Sequence, residues 1–241
     1  MSSKIMKNWP VAGDCGPSVR AVPSRAEYFD RWSALHGGYD PRQSFWVGLW
    51  LGWTHAVARP LVAARVAPDL ITLAGLLAGA AVVGLTTLGG GWVLAAGALV
   101  VASGLLDNLD GAVAVMTGRA TRWGSVLDSV VDRVCDGLYL TALWILGAPG
   151  WLCVIGGSLM GLHEYTRARA AAAGMSEIGV VTVGERPTRV IVTAVFLACA
   201  GSYGAGDQVW ATLAVAAWVG LGVVGFGQLL VVVRRRLVSR L

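Results

Sequence analysis

Residues 107–136 read DNLDGAVAVMTGRATRWGSVLDSVVDRVCD. Two apolar stretches lie on either side of a short turn at Gly118–Arg122, and both carry acids: Asp107 and Asp110 before it, Asp128, Asp132 and Asp136 after it. Asp107 and Asp110 are spaced i, i+3, and Asp128 and Asp132 i, i+4, so each pair shares one helix face. A turn this short makes the two helices antiparallel neighbours. Asp107 precedes it by about the distance at which Asp132 follows it, so the four carboxylates come to one depth. Only Arg133 lies near in sequence as a partner. One buried acid is explained by a cap or an ion pair; five within thirty residues are not.

The rest of the chain makes these acids conspicuous. Of 241 residues, 56% are hydrophobic, and 33 glycines bring the apolar-plus-glycine share to about 70%, against roughly 45–50% in a soluble domain. Charged residues are 14%, against about 25%. This composition excludes disorder, a disulfide scaffold and a nucleic-acid-binding domain, and points to an all-α integral membrane protein. Cys15, Cys135, Cys153 and Cys199 are scattered, with no pair at metal-ligand spacing; those in apolar runs read as buried thiols.

Six segments, about 69–87, 92–117, 123–147, 150–173, 186–203 and 208–233, are long enough to cross a hydrocarbon core of ~30 Å. Glycine-rich or charged breaks separate them. Ahead of them, residues 1–25 read as a mobile arm. In residues 26–66, Tyr28, Phe29, Trp32 and Leu35 fall among Glu27, Asp30, Arg31 and Arg42 as in an amphipathic helix lying at the membrane surface. Pro60 is expected to interrupt the Trp-rich run from residue 45. The domain proper is then 67–241. With six spans, every Lys and Arg falls on one side or at the adjoining helix ends, and the opposite loops hold only Asp207. Lys and Arg accumulate in cytoplasmic loops, which places both termini and the acids' end of the helices in the cytoplasm. The net charge of +5 is therefore an orientation signal rather than a sign of nucleic acid.

Carboxylates inside a membrane mark a functional site. Four together need cations, and an all-oxygen donor set without His or Cys suits Mg²⁺, Mn²⁺ or Ca²⁺. Four carboxylates suggest two ions, an arrangement that stabilises displacement at phosphorus. Gly111, directly after Asp110, leaves room for a ligand to approach the backbone.

The spacing Asp107-x2-Asp110-Gly111-x2-Ala114-x9-Gly124-x3-Asp128-x3-Asp132 resembles the signature of the CDP-alcohol phosphotransferase family. Members carry six spans and transfer a phospho-group from a CDP-linked donor, usually CDP-diacylglycerol, to an alcohol, releasing CMP. The resemblance implies that Asp107, Asp110 and Asp128, with Asp132 also in reach, bind two Mg²⁺ or Mn²⁺ ions. It further implies that Asp132 is the general base and that Gly111, Ala114 and Gly124 line the CDP pocket. The family's Arg after Ala114 is Val115 here; Arg119, one turn on, or Arg122, three residues further, would take its place. Pro68-Asp69-x2-Thr72 resembles the inositol-phosphate branch of the family, in which Asp69 and Thr72 would recognise cytosine. Tyr165-Thr166-Arg167-Ala168-Arg169 and Glu185-Arg186-Pro187-x-Arg189 resemble that branch too. They imply Arg167 and Arg189, with Arg234, as ligands of an acceptor phosphate. Inositol phosphate is the first acceptor and glycerol phosphate the second, and a homodimer follows by resemblance alone.

Two readings of other classes are weaker. UbiA-like prenyltransferases need Asp-x3-Asp in both motifs, which Asp107-x2-Asp110 does not provide. An ion or proton transporter would show a second polar half or a repeat, whereas the acids here gather in one place.

Overall fold

The computed structural model describes residues 22–175, 182–203 and 206–238, and these are helical throughout, with no strand among them. The helices are α1 (Arg25–Leu35), α2 (Phe45–Ala63), α3 (Pro68–Leu88), α4 (Gly91–Thr117), α5 (Arg122–Ile145), α6 (Gly150–Ala172), α7 (Arg186–Tyr203) and α8 (Asp207–Val238). The last six coincide closely with the six expected segments. The arm expected over 1–25 falls, up to residue 21, outside the described residues.

Local signals explain most boundaries. Ser24 and Glu27 form a reciprocal capping box that starts α1. Pro68 sits in the first turn of α3, where its missing N–H costs nothing. The turn inside the opening stretch is built on Gly118, whose left-handed φ of 67° closes α4 while Arg119 N–H donates to Ala114 O at 2.9 Å. Thr121 then caps α5, accepting from Gly124 N–H at 2.9 Å. Pro60 departs from the sequence reading: α2 runs unbroken from Phe45 to Ala63 with Pro60 inside it. Pro60 stands within one turn of the helix end, where loss of a single backbone hydrogen bond leaves the rest intact.

α3 packs on α4 and α5, α4 on α7, α6 on α8 and α7 on α8. The main core joins Val82, Val93, Val100, Cys135, Tyr139, Leu143, Leu197, Val215 and Trp218. Close approach depends on small residues: a Cβ added at Gly97 of α4 would lie 3.1 Å from Ala194 O of α7, the small-residue contact by which membrane helices associate. A second core anchors α1 and α2 to α3 and α4 through Tyr28, Phe29, Leu51, Ala58, Ile71, Leu109 and Met116.

The outer surface is apolar. Leu73 and Leu77 on α3, and Val223, Val224 and Val231 on α8, are exposed, as in a protein whose solvent is lipid. α3, α4 and α8 are long and apolar enough to cross a membrane. α5, α6 and α7 carry the charged residues described next, which lower their apolarity.

Candidate active site

The hairpin α4–α5 assembles the carboxylates as its spacing requires. One oxygen each of Asp107, Asp128 and Asp132 lies within 4.8 Å of the others. Asp110, one turn from Asp107, is 5% exposed and accepts a 2.5 Å hydrogen bond from Thr72 Oγ1 of α3. The donor set is all oxygen, from carboxylates drawn together, and fits a hard divalent cation. In the structure the balancing charge is Arg186 of α7, whose Nη1 bonds both Asp107 Oδ1 and Asp132 Oδ1.

A cavity of about 290 Å³ opens beside this cluster. Asp69, Thr72, Gly111, Ala114, Arg119 and Gly124, the residues expected at the nucleotide, all line it, together with Asp110 and Asp128. A Cβ at Gly111 would meet nothing within 4 Å, so glycine here keeps the cavity wall flat. Asp69 is not the N-cap of α3; Ala67 is, without a side-chain bond. Asp69 faces the hairpin instead, its Oδ1 3.7 Å from where a Cβ of Gly124 would be.

The arginines form one connected network with the acids. Arg133 reaches Asp132 at 3.4 Å, Asp136 at 3.6 Å and Glu164 at 2.8 Å. Arg189, 5% exposed, donates to Asp136 Oδ2 at 2.9 Å and to Gly184 O at 2.6 Å. Arg167 forks onto Glu185 at 2.5 and 3.1 Å. Burial pushes the Glu185 carboxyl up, but the hydrogen bonds from Arg167 and Thr182 outweigh it and hold it below the usual carboxylate range. The Nε atoms of Arg133, Arg167, Arg186 and Arg189 are buried without hydrogen-bond partners. Arg167, which also lies 3.9 Å from the Glu164 carboxylate that Arg133 holds, and Arg189, through Asp136, are thus linked by way of Arg133 to Asp132. Arg234 is not: it lines a separate cavity with Val231, Arg235 and Val238.

Sequence reasoning left three participants without a role: Arg186, Arg133 and Asp136. Arg186 stands in the Glu185-Arg186-Pro187 motif, and that motif was the available signal. Its pairing with Asp107 and Asp132 spans 79 and 54 residues, beyond any local pattern.

The sequence matches the CDP-alcohol phosphatidyltransferase family over residues 65–226. It is 33% identical over 161 residues to the phosphatidylinositol phosphate synthase of Mycobacteroides abscessus, covering 63% of this chain and 70% of that protein. It is 38% identical over 130 residues to the archaetidylinositol phosphate synthase of Methanothermobacter thermautotrophicus, covering 52% and 62%. The matched part spans about two thirds of each relative. The structure is similar to that of Mycobacterium tuberculosis phosphatidylinositol phosphate synthase with CDP-DAG bound. That similarity has a TM-score of 0.56 at 28% identity and covers 73% of this chain and 92% of the other. A structure of the same protein in complex with manganese and citrate gives 0.57 over 73% and 88%.

Proposed function

The chain belongs to the CDP-alcohol phosphatidyltransferase family, an integral membrane transferase family, and on that premise we propose that it moves the phosphatidyl group of CDP-diacylglycerol to inositol phosphate, releasing CMP. The observation that carries this is the junction of two independent sets of residues. The cavity lined by all six expected nucleotide residues abuts the Asp107, Asp128 and Asp132 cluster. The relatives' names supply the acceptor, since phosphatidyl and archaetidyl synthases alike end in inositol phosphate.

In this reading Asp107, Asp110, Asp128 and Asp132 hold two divalent ions, Mg²⁺ or Mn²⁺; a neighbour carrying manganese supports the choice of metal. When bound, the ions neutralise the diphosphate and the leaving CMP. The remaining steps belong to side chains. Asp69 and Thr72 orient the base, while Gly111, Ala114 and Gly124 keep space for the nucleotide and Arg119 adds positive charge beside it. Asp132 removes the proton of the acceptor hydroxyl, which requires a carboxylate within hydrogen-bond reach. The hydroxyl oxygen then bonds to the donor phosphorus as the bond to CMP breaks.

The acceptor phosphate falls to the arginine network next to Asp132. Arg167 presents a guanidinium fork suited to phosphate oxygens. Arg189 is held by Asp136 and Gly184, so it acts as the buried end of the same network. Arg186 occupies oxygens that a divalent cation would take, which makes it the arginine set free nearest the reacting centre. Arg234 lies apart, and any contribution from it needs the acceptor to reach the end of α8. The same reading keeps six spans, both termini and the site at the cytoplasmic face, and a homodimer.

The test is a panel of acceptors with CDP-diacylglycerol and Mg²⁺, with product masses read out. A phosphatidylinositol phosphate product supports the assignment. A phosphatidylglycerophosphate product with inert inositol phosphate replaces the acceptor but keeps the enzyme class.

A further inference from the structure

From Leu213 to Val233, α8 is apolar except for two side chains, the Trp218 indole and the Gln228 amide. A polar group in such a run is costly unless it is bonded. The indole N–H of Trp218 donates to Thr193 Oγ1 of α7 at 3.1 Å. The amide of Gln228 reaches farther: its Oε1 accepts from Val183 N–H at 3.1 Å. Val183 belongs to the turn over residues 182–185, which leads directly into α7. That turn also approaches α8 one helical turn earlier. A Cβ at Gly225 would lie 2.9 Å from Gly184 N and 3.4 Å from Thr182 Oγ1, and one at Gly184 would lie 3.2 Å from Leu221 O. Backbone thus meets backbone, and glycine on both sides permits the approach.

The same four residues hold arginines of the network. Gly184 O accepts from Arg189 Nη1 at 2.6 Å. Glu185 takes the fork of Arg167, and its Oε1 also accepts from the N–H and the hydroxyl of Thr182 at 3.0 Å each. Thr182 Oγ1 lies 3.1 Å from Nε2 of His163, buried on α6. Arg186 follows at the start of α7 and bonds Asp107 and Asp132. Three arginines from two helices therefore meet at one turn, and α8 holds that turn. Glycine contacts let the turn come near α8 but do not fix where along the helix it sits. A directional hydrogen bond does.

We propose that Gln228 is a positioning residue for the acceptor: by clamping Val183 it sets the turn, and through the turn it sets the guanidinium groups of Arg167, Arg186 and Arg189. The proposal rests on the transferase reading, in which these arginines receive the acceptor phosphate. Gln228 does not line the nucleotide cavity, so its effect falls on the acceptor and not on the donor.

The test uses the full-length protein in detergent and initial rates of CMP release, with inositol phosphate and CDP-diacylglycerol varied in turn. Gln228→Met keeps the reach of the side chain and removes the accepting oxygen. Its KM for inositol phosphate should rise about three- to tenfold, the worth of one hydrogen bond, with the KM for the donor unchanged. Gln228→Glu returns an oxygen at the same reach and should bring the KM back toward the wild-type value. Hydrogen exchange over residues 182–189 reads the clamp directly: it should quicken in Gln228→Met and not in Gln228→Glu. Gly225→Ala drives a Cβ into the backbone of the turn and should raise the same KM, whereas Gly227→Ala, where a Cβ meets nothing within 4 Å, should not. This pair serves should Gln228→Met fail to fold. An unchanged acceptor KM, a rise that Gln228→Glu does not reverse, or equal rises for donor and acceptor overturns the proposal. A wild type without turnover, with exchange still quickened in Gln228→Met, would instead sink the transferase reading and the acceptor role with it, leaving only the clamp.

Discussion

Asp132 and Arg186 carry the account at the level of single residues. Asp132 shares an oxygen cluster with Asp107 and Asp128, and in the proposed function it is the base. Asp132→Asn keeps shape and removes the proton acceptor. Turnover should fall by about 10²–10⁴-fold while CDP affinity changes little; a rate near wild type would move the base elsewhere. Arg186 pairs with the Asp107 and Asp132 oxygens that the proposed cations would need. Arg186→Ala should lower the melting temperature by several degrees in the absence of divalent ions, since it leaves like charges unpaired. Mg²⁺ should then raise it more than in the wild type, because binding to the folded state stabilises by mass action. An equal rise in both proteins would mean that Arg186 and the ions do not share the site. Legibility at this scale followed sequence distance. The four acids and their common face could be read because their spacing is local. Arg186 and Arg189 were identified with a motif but not with Asp107, Asp132 or Asp136, because helical periodicity does not say which helix faces which.

Helices and turns were the most legible part. Hydropathy located α3 through α8 to within a few residues, because a continuous apolar run fixes helix length directly. It failed at Pro60, where position near a helix end outweighed the residue's usual effect. It also could not foresee that α1 and α2 fold over α4. Two predictions belong to this scale. Gly97 meets the α7 backbone, whereas a Cβ at Gly84 would meet nothing within 4 Å. Gly97→Leu should therefore destabilise the protein by about 1–3 kcal/mol, and Gly84→Leu much less, as read by thermal unfolding in detergent. Similar losses would show that the α4–α7 contact is looser than described. The second concerns the turn before α7, where Arg167 and Thr182 hold Glu185 below its ordinary range. A lowered folded value means the stabilisation is complete above the unfolded carboxyl value of about 4.3 and is lost as pH falls through the folded one. Glu185→Gln should thus be less stable than wild type near neutrality, and the gap should close in acid; a constant gap would assign the effect to packing.

As a whole the molecule is a helical membrane protein that gathers five of its 14 acidic residues on one hairpin. Composition gave the class, and the charge count gained meaning only when mapped. The structure adds that the basic residues near the site are not a free ring awaiting phosphate. Arg133, Arg167, Arg186 and Arg189 are each bound to carboxylates, so in the proposed function an acceptor phosphate exchanges with internal partners. It also adds the docking of residues 182–185 on α8, which no local pattern announced. The central claim is metal-dependent phosphatidyl transfer at the α4–α5 carboxylates. Its most direct test is CMP release from CDP-diacylglycerol by the purified protein with inositol phosphate, in Mg²⁺ and after chelation. The account predicts turnover that chelation abolishes, that Mg²⁺ or Mn²⁺ restores, and that Asp128→Asn lacks. CMP release unaffected by chelation, or none with any acceptor from folded protein, would contradict it.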